Sequence, residues 1–309
     1  MSGPVTEQDA ALDAECGQPE PPEVELLAAR EAEVGGLAVR RALPRRARRT
    51  VGAWCFADHF GPASPPTSML IGPHPHMGLH TVTWLVEGEL LHRDSIGSEQ
   101  LIRPGQLNLM SAGHGVAHAE EQPAGAPGGA RMHGIQLWVA QPEATRHGPA
   151  GFEHHADLPQ VPLGDTVATV LVGEVAGARS PARADTPLVG AELALAGGPA
   201  TVPLDPGFEH ALVVLDGAVA VGDEVVGPGV LAYLGEGRDA VVLAADAPAR
   251  VVLLGGEPFP EPILMSWNFV ARQRGEVDRA AAEWNAGDPR FGTVASQLAR
   301  IPAPTSDIG

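Results

Sequence analysis

Lysine is missing from this 309-residue sequence, and cysteine occurs only twice, at Cys16 and Cys55. Two such thiols do not make a disulfide framework, which fits a reducing compartment, so we expect a cytoplasmic protein. The 20 arginines are outnumbered by 38 acidic residues, which gives a formal net charge of −18. Because such a chain would repel phosphate, we expect no direct binding of nucleic acid.

Long apolar runs are also lacking. No run reaches the roughly 18 residues that a membrane-spanning helix needs. The first residues, Met1 to Gln8, lack the basic and apolar regions of a signal peptide. We therefore expect no membrane association. Residues 1–22 are acidic and rich in proline, which predicts a flexible acidic tail.

Turn residues are abundant, with 38 glycines and 30 prolines between short apolar runs. This pattern predicts antiparallel strands arranged as an all-β sandwich or barrel. A short helix is predicted near the end, over residues 275–287, where alanine, glutamate and arginine precede a terminal glycine. Residues 301–309 are predicted to form a frayed tail.

The two halves of the chain echo each other. Two pairs of matching segments lie 129 and 124 residues apart: Val86-Glu87-Gly88 with Leu215-Asp216-Gly217, and Arg103-Pro104-Gly105 with Gly227-Pro228-Gly229. This repetition predicts a duplicated barrel. We place the first domain at residues 23–142 and the second at residues 143–300.

Two clusters of metal-binding side chains stand out in the first half. His74 and His76 are two residues apart, and so are His118 and Glu120. On an extended strand, this spacing puts both members of a pair on the same face. Two such pairs facing each other inside a barrel would supply three imidazoles and one carboxylate. That donor set suits one divalent transition metal, and Fe(II), Mn, Co, Ni, Cu and Zn are all compatible with it.

In the second barrel, the corresponding site is predicted to be lost. At the offsets given above, the four positions are occupied, in order, by Pro203, Asp205, Val242 and Ala244. His210 lies nearby but stands alone, which is more typical of a packing or surface residue. The second barrel is therefore predicted to be a degenerate copy.

The residues around the two clusters resemble the pirin family, a group of bicupin proteins within the cupin superfamily. The matching residues are His74-Pro75-His76, Gly78, Thr81-Val82-Thr83, Glu87-Gly88, His92-Arg93-Asp94-Ser95, Arg103-Pro104-Gly105, Ser111-Ala112-Gly113, Gly115, His118 and Glu120, with further matches at Asp58–Pro62, Gln136–Val139 and Trp267–Val270. The resemblance implies an all-β protein of two tandem cupin (jelly-roll) barrels with a short C-terminal helix. It also implies one iron ion in the first barrel, held by His74, His76, His118 and Glu120.

Pirins are associated with quercetin 2,3-dioxygenase activity, and eukaryotic members are also linked to transcriptional co-regulation. The resemblance therefore implies a small aromatic substrate, a flavonol or a similar enol or phenol, which is cleaved with O2. Glu120, or another base behind the metal ligands, is the candidate to accept the proton of the substrate hydroxyl. The alternative hypothesis is a non-catalytic iron- or redox-sensing regulator that acts through a protein partner. The arginine-rich segment 40–49 is then the candidate surface, although a solvated turn would have the same composition. We expect a monomer.

Two positions depart from the family pattern. His80 stands where many pirins carry glutamate, and it could ligate the metal, support a ligand by hydrogen bonding or line the pocket. His114 stands where arginine is frequent in the family. Nearby, His92 and Asp94 share a strand face and would form either a proton relay or a polar pair. Large aromatic residues that we expect in the core are Trp54, Phe56 and Trp84.

Overall fold

The computed structural model describes residues 23–62, 70–123 and 131–304. The strands of the first half are β1 (Glu25–Ala28), β2 (Arg30–Val34), β3 (Leu37–Leu43), β4 (Trp54–Phe60), β5 (Ile71–His76), β6 (Leu79–Glu87), β7 (Leu90–Asp94), β8 (Glu99–Ile102), β9 (Leu107–Ser111), β10 (Val116–Glu121) and β11 (His133–Ala140). The strands of the second half are β12 (Gly151–His155), β13 (Gln160–Leu163), β14 (Thr166–Val172), β15 (Glu174–Val175), β16 (Ala178–Arg179), β17 (Leu188–Leu195), β18 (Gly198–Pro203), β19 (Glu209–Asp216), β20 (Val219–Val221), β21 (Glu224–Val226), β22 (Val230–Gly235), β23 (Ala240–Ala245), β24 (Ala249–Gly256), β25 (Leu264–Ser266) and β26 (Phe269–Ala271). Helix α1 (Arg274–Ala286) and a short 3-10 turn (Pro289–Phe291) follow.

Each half forms a barrel from one seven-stranded and one four-stranded antiparallel sheet. In the first barrel the strand orders are β12-β9-β6-β11-β4-β3-β2 and β5-β10-β7-β8. In the second barrel they are β1-β22-β19-β24-β17-β14-β13 and β18-β23-β20-β21. The predicted all-β architecture of two tandem jelly-roll barrels is therefore confirmed. The duplication is visible in the matching sheet sizes of the two barrels.

The barrels exchange one edge strand each. β1 comes from the start of the chain, yet it pairs with β22 in the second barrel. β12 follows the last strand of the first half, yet it pairs with β9 and closes the edge of the first barrel. The boundary between residues 23–142 and 143–300 stays a prediction. The strand pairs β1–β22 and β12–β9 show in addition that each of these two ranges contributes one strand to the barrel of the other range.

The interface between the barrels is an apolar core. One cluster of buried residues joins the two seven-stranded sheets, with Leu137 contributed from the first barrel and Val252 from the second. Trp54 is fully buried there, and its indole Nε1 donates to the carbonyl oxygens of Val189 at 3.0 Å and Gly255 at 3.1 Å. A buried indole N–H needs such partners, so these bonds fix the second barrel against β4. Trp54 and Trp84 are core residues, as expected.

The C-terminal helix is confirmed close to its predicted bounds. It ends at Gly287, whose φ of 77° is a left-handed conformation that glycine adopts without strain. Its buried face, which includes Val277, Ala280 and Trp284, packs in a cluster with Ala117 of β10. The helix therefore covers the outer surface of the small sheet of the first barrel.

The predicted frayed tail at 301–309 is wrong for its first residues. The amide of Ile301 donates to the carbonyl of Pro73 at 2.9 Å, and the indole of Trp284 donates to the carbonyl of Ile301 at 2.8 Å. Ala303 is 3% exposed. Docking against β5 and α1 satisfies these backbone groups and orders the segment. Residues 305–309 and the predicted tail at 1–22 lie outside the described residues.

Candidate metal centre

The two histidine-bearing strands are neighbours in the small sheet of the first barrel. β5 and β10 pair antiparallel, with His74 opposite His118 and His76 opposite Val116. Because alternate side chains of a strand share a face, His74 and His76 both enter the barrel beside His118. Ligand nitrogens of the three residues lie within 4.8 Å of one another. The structure therefore brings together three of the four residues predicted to bind metal.

The spacing of these nitrogens fits a metal ion. The Nε2 atoms of His76 and His118 are 3.0 Å apart. Two nitrogens that each lie about 2.1 Å from one ion, at a right angle, would be about 3.0 Å apart. The three residues are buried, with exposed fractions of 6% for His74, 1% for His76 and 2% for His118. The donor set and its geometry suit a divalent transition metal.

Burial also holds these imidazoles in the form that binds metal. Desolvation lowers the pKa of His74 to about 4, and it lowers the pKa values of His76 and His118 well below the ordinary value. All three are therefore neutral at pH 7. The Nδ1 of His74 donates to the carbonyl of Gly72 at 2.9 Å, which leaves its Nε2 lone pair free for a metal.

Glu120 lies in the same cavity but outside the histidine cluster. The register between β5 and β10 shifts between His118 and Glu120, because β5 has one extra residue there and Ile71 lies opposite Glu120. The pairing of β10 with β7 stays regular from His118 to Glu120, so these two side chains share a face of β10 and both line the cavity. The carboxylate oxygens of Glu120 are not within 4.8 Å of all three histidines. The residue is 4% exposed, and burial raises the pKa of its carboxyl to about 7. Its assignment as the fourth ligand stays a prediction.

The histidines open into a cavity of about 700 Å³ between the two sheets. One wall is aromatic: the rings of Phe56 and Trp138 stack with centroids 3.9 Å apart, and the rings of Trp138 and His76 form a T-shaped pair with centroids 5.1 Å apart. Arg41 lies over the Phe56 ring at 4.7 Å and is held by two hydrogen bonds to Asp58, at 2.8 and 2.7 Å. Phe56 is buried, but it faces the cavity and does not pack only against the core as we expected.

The arginine-rich segment 40–49 divides into two roles. Arg45 and Arg46 lie at the cavity mouth, and neither side chain forms an ion pair with the described residues. Arg48 points elsewhere: its guanidinium lies 3.6 Å from the centre of the Tyr233 ring, and it forms ion pairs with Glu25 and Glu209. Arg48 therefore links the barrels, and Arg45 and Arg46 give the mouth positive charge.

His80 is not part of the histidine cluster. The chain leaves β5 after His76 and enters the larger sheet as β6, so His80 does not share the face of the ligand pair. Its Nδ1 is 2.9 Å from Ser111 Oγ, and its Nε2 is 3.0 Å from a carboxylate oxygen of Asp185. His80 thus connects the barrels. His114 is absent from the residues that line the cavity.

A second layer of contacts supports His118. On β7, the Nε2 of His92 is 3.1 Å from Asp94 Oδ2, and the Nδ1 of His92 is 3.3 Å from the Nδ1 of His118. The sequence suggests the pair of His92 and Asp94 but not its link to His118. That link depends on the pairing of β10 with β7, which places His118 opposite Asp94.

Two tandem jelly-roll barrels, the first with three clustered histidines between its sheets, define a bicupin protein with a candidate metal centre. Residues 36–139 match the family model described as Pirin, and residues 191–292 match the model of the Pirin C-terminal cupin domain. The chain belongs to the pirin family. No helix in the described ranges is long and apolar enough to cross a membrane.

Relatives over nearly the full length agree with this assignment. A Pseudomonas aeruginosa protein with the provisional name quercetin 2,3-dioxygenase is 45% identical over 309 residues, covering 98% of this chain and 97% of its own. A pirin-like protein of Caulobacter vibrioides is 38% identical, covering 84% and 92%. A crystal structure of quercetin 2,3-dioxygenase from Acinetobacter baumannii superposes with a TM-score of 0.88 at 42% identity, covering 91% of this chain and 95% of that one.

Proposed function

We propose that this protein is a metal-dependent dioxygenase of the quercetin 2,3-dioxygenase type, acting on a flavonol or a similar enol or phenol with O2. The main support is the opening of three neutral, buried imidazoles into a cavity of about 700 Å³. That volume lies within the usual range for small-molecule sites. The names of the Pseudomonas and Acinetobacter relatives support the same activity.

Iron(II) is the metal that we propose, held by His74, His76, His118 and Glu120. Imidazole and carboxylate donors also accept Mn, Co, Ni, Cu or Zn. When bound, the ion supplies Lewis-acid polarisation of a substrate oxygen and the electron exchange that dioxygen chemistry needs. The Nε2 atoms of His76 and His118, which are 3.0 Å apart, support a shared ion at this position.

The protein's own groups would orient the substrate and take its proton. A planar ring can lie along the aromatic wall of Phe56 and Trp138, with its hydroxyl toward the histidines. Glu120 then accepts the hydroxyl proton on a carboxylate oxygen. Its raised pKa of about 7 suits a base that works near neutral pH. The complete reaction takes up one O2, opens the heterocyclic ring and releases one carbon monoxide.

The test is turnover by metal-loaded protein. Apoprotein is loaded separately with Fe(II), Mn, Co, Ni or Cu, and loss of quercetin absorbance is followed together with oxygen uptake and carbon monoxide release. We expect His76→Ala to lower turnover by at least 100-fold, because one of three clustered donors is removed. His147→Ala is the matched control, since the side chain of His147 is half exposed and lies on the surface beside Glu143. Equal rates for wild type and His76→Ala would contradict the proposal.

Turnover of the loaded protein, together with its affinity for a protein partner, distinguishes an enzyme from a regulator. If loaded wild type binds metal but turns over nothing, and its affinity for a protein partner differs between Fe(II) and Fe(III), the redox-sensing alternative is supported. Arg45 and Arg46 at the cavity mouth offer such a partner a positive surface. We further propose a monomer located in the cytoplasm, in keeping with the free thiol of Cys55.

A further inference from the structure

Asp94 is a carboxylate with a fixed orientation beside the histidine cluster. It lies at the end of β7, and its side chain is fully buried. Its Oδ1 accepts hydrogen bonds from the backbone amides of Ile96, at 3.1 Å, and Ser98, at 2.8 Å. Its Oδ2 faces the Nε2 of His92 at 3.1 Å. Because a carboxylate only accepts hydrogen bonds, the Nε2 of His92 must be the donor in this contact.

The contact between Asp94 and His92 determines which atom donates in the contact between His92 and His118. The ring of His92 is stacked on Phe152 of β12, with centroids 4.5 Å apart and planes inclined by 19°. In its neutral form an imidazole carries one hydrogen; the contact with Asp94 places that hydrogen of His92 on Nε2, so the Nδ1 of neutral His92 can only accept. The Nδ1 of His118, 3.3 Å away, must then donate. The Nε2 of His118 is left with a free lone pair, and this atom is the one that faces His76.

We propose that Asp94 and His92 are positioning residues that fix the tautomer and ring orientation of His118 for metal binding. The proposal rests on the metal centre of the proposed function. His74 and His118 are oriented in comparable ways. The backbone carbonyl of Gly72 orients His74 directly, whereas the carboxylate of Asp94 orients His118 through the imidazole of His92. Groups that orient metal ligands in this way typically change metal affinity by about 10- to 100-fold when mutated.

Asp94→Asn is the discriminating substitution. It keeps the size and shape of the side chain but can place a hydrogen-bond donor, in place of an acceptor, opposite the Nε2 of His92. The backbone amides of Ile96 and Ser98 would still donate to the side-chain oxygen at position 94, so the side-chain NH2 group would face His92. The Nε2 of His92 would then have to accept, its Nδ1 would donate, and the Nε2 of His118 would carry the hydrogen. We expect a 10- to 100-fold loss of Co(II) affinity, measured by chelator competition, with a changed Co(II) absorption spectrum.

The matched control is Asp205→Asn in the second barrel. Asp205 also accepts a bond from the backbone amide two residues ahead, that of Gly207 at 2.9 Å, but it faces no metal ligand. We expect its Co(II) affinity to equal that of wild type. His92→Phe, which keeps the stacking on Phe152 but removes both polar contacts, should lose less affinity than Asp94→Asn, since His118 would then be free to adopt either tautomer.

Nitrogen-15 NMR of metal-free protein tests the proposal independently of metal binding. We expect the hydrogen of His118 on Nδ1 in wild type and on Nε2 in Asp94→Asn. A wild-type hydrogen on Nε2, or Co(II) affinity of Asp94→Asn within twofold of wild type, would overturn the proposal. If wild type binds no divalent metal while the NMR result is as expected, the proposed function fails and the assigned tautomer stands.

Discussion

Replacing Glu120 by glutamine should stabilise the metal-free protein at alkaline pH. Burial raises the pKa of Glu120 to about 7, and an unfolded glutamate titrates near 4.5. The folded state therefore disfavours the charged carboxylate. At about 1.4 kcal/mol for each pKa unit, the free energy of unfolding is lowered by about 3 kcal/mol when the group is ionised in both states. This destabilisation is absent below pH 4.5, grows as the pH rises, and is complete above pH 7.

The measurement is urea unfolding in the presence of a chelator, for wild type and Glu120→Gln at half-unit steps from pH 5 to pH 9. Buried histidines such as His76 also make stability depend on pH, but both proteins contain them, so the difference between the two curves isolates Glu120. The variant should gain up to about 3 kcal/mol relative to wild type by pH 8. A difference that stays constant from pH 5 to pH 9 would refute the reasoning. Saturating metal should reverse the order, because bound metal favours the carboxylate.

Two further substitutions test the contacts between the barrels. Burial alone would raise the pKa of Asp185, but hydrogen bonds from His80, Arg183 and Thr145 lower it. Asp185→Asn should therefore cost about 1–3 kcal/mol at pH 7, and the loss should shrink below about pH 4, where the unfolded carboxyl becomes protonated; urea titrations at pH 7 and pH 3 check this. Trp54→Phe leaves two buried carbonyls of the second barrel without their indole donor. It should cost about 2–4 kcal/mol in the same assay, and an unchanged midpoint would show that these bonds do not hold the barrels together.

Local spacing in the sequence explains why much of the centre could be predicted. His74 and His76 fall on one face because they are two residues apart on a strand, and this holds whatever the strand pairs with. The turns at Gly88 and Gly105, which have positive φ values of 95° and 82°, likewise marked the ends of strands correctly. Features that depend only on neighbouring residues were therefore accessible from sequence.

The parts that could not be predicted depend on register between distant strands. The register shift that brings Ile71 opposite Glu120 comes from one extra residue in β5, and the sequence of β5 does not signal it. The contact of His80 with Asp185 joins residues 105 positions apart, and it requires the second barrel to be in place. The link from His92 to His118 follows from which strand lies beside β10. Spacing alone suggested that His80 could join the metal ligands, because it gave no sign that the chain changes sheet after His76.

The exchanged edge strands determine when each barrel can be completed during synthesis of the chain. β1 emerges from the ribosome first, but its partner β22 follows about 200 residues later. The first barrel likewise waits for β12, which is made after the last of its other strands. A fragment ending at residue 142 would present an unpaired β9 edge to other chains, and the remaining fragment would present an unpaired β22. Separately expressed halves should therefore aggregate, whereas co-expressed halves could complete each other's sheets.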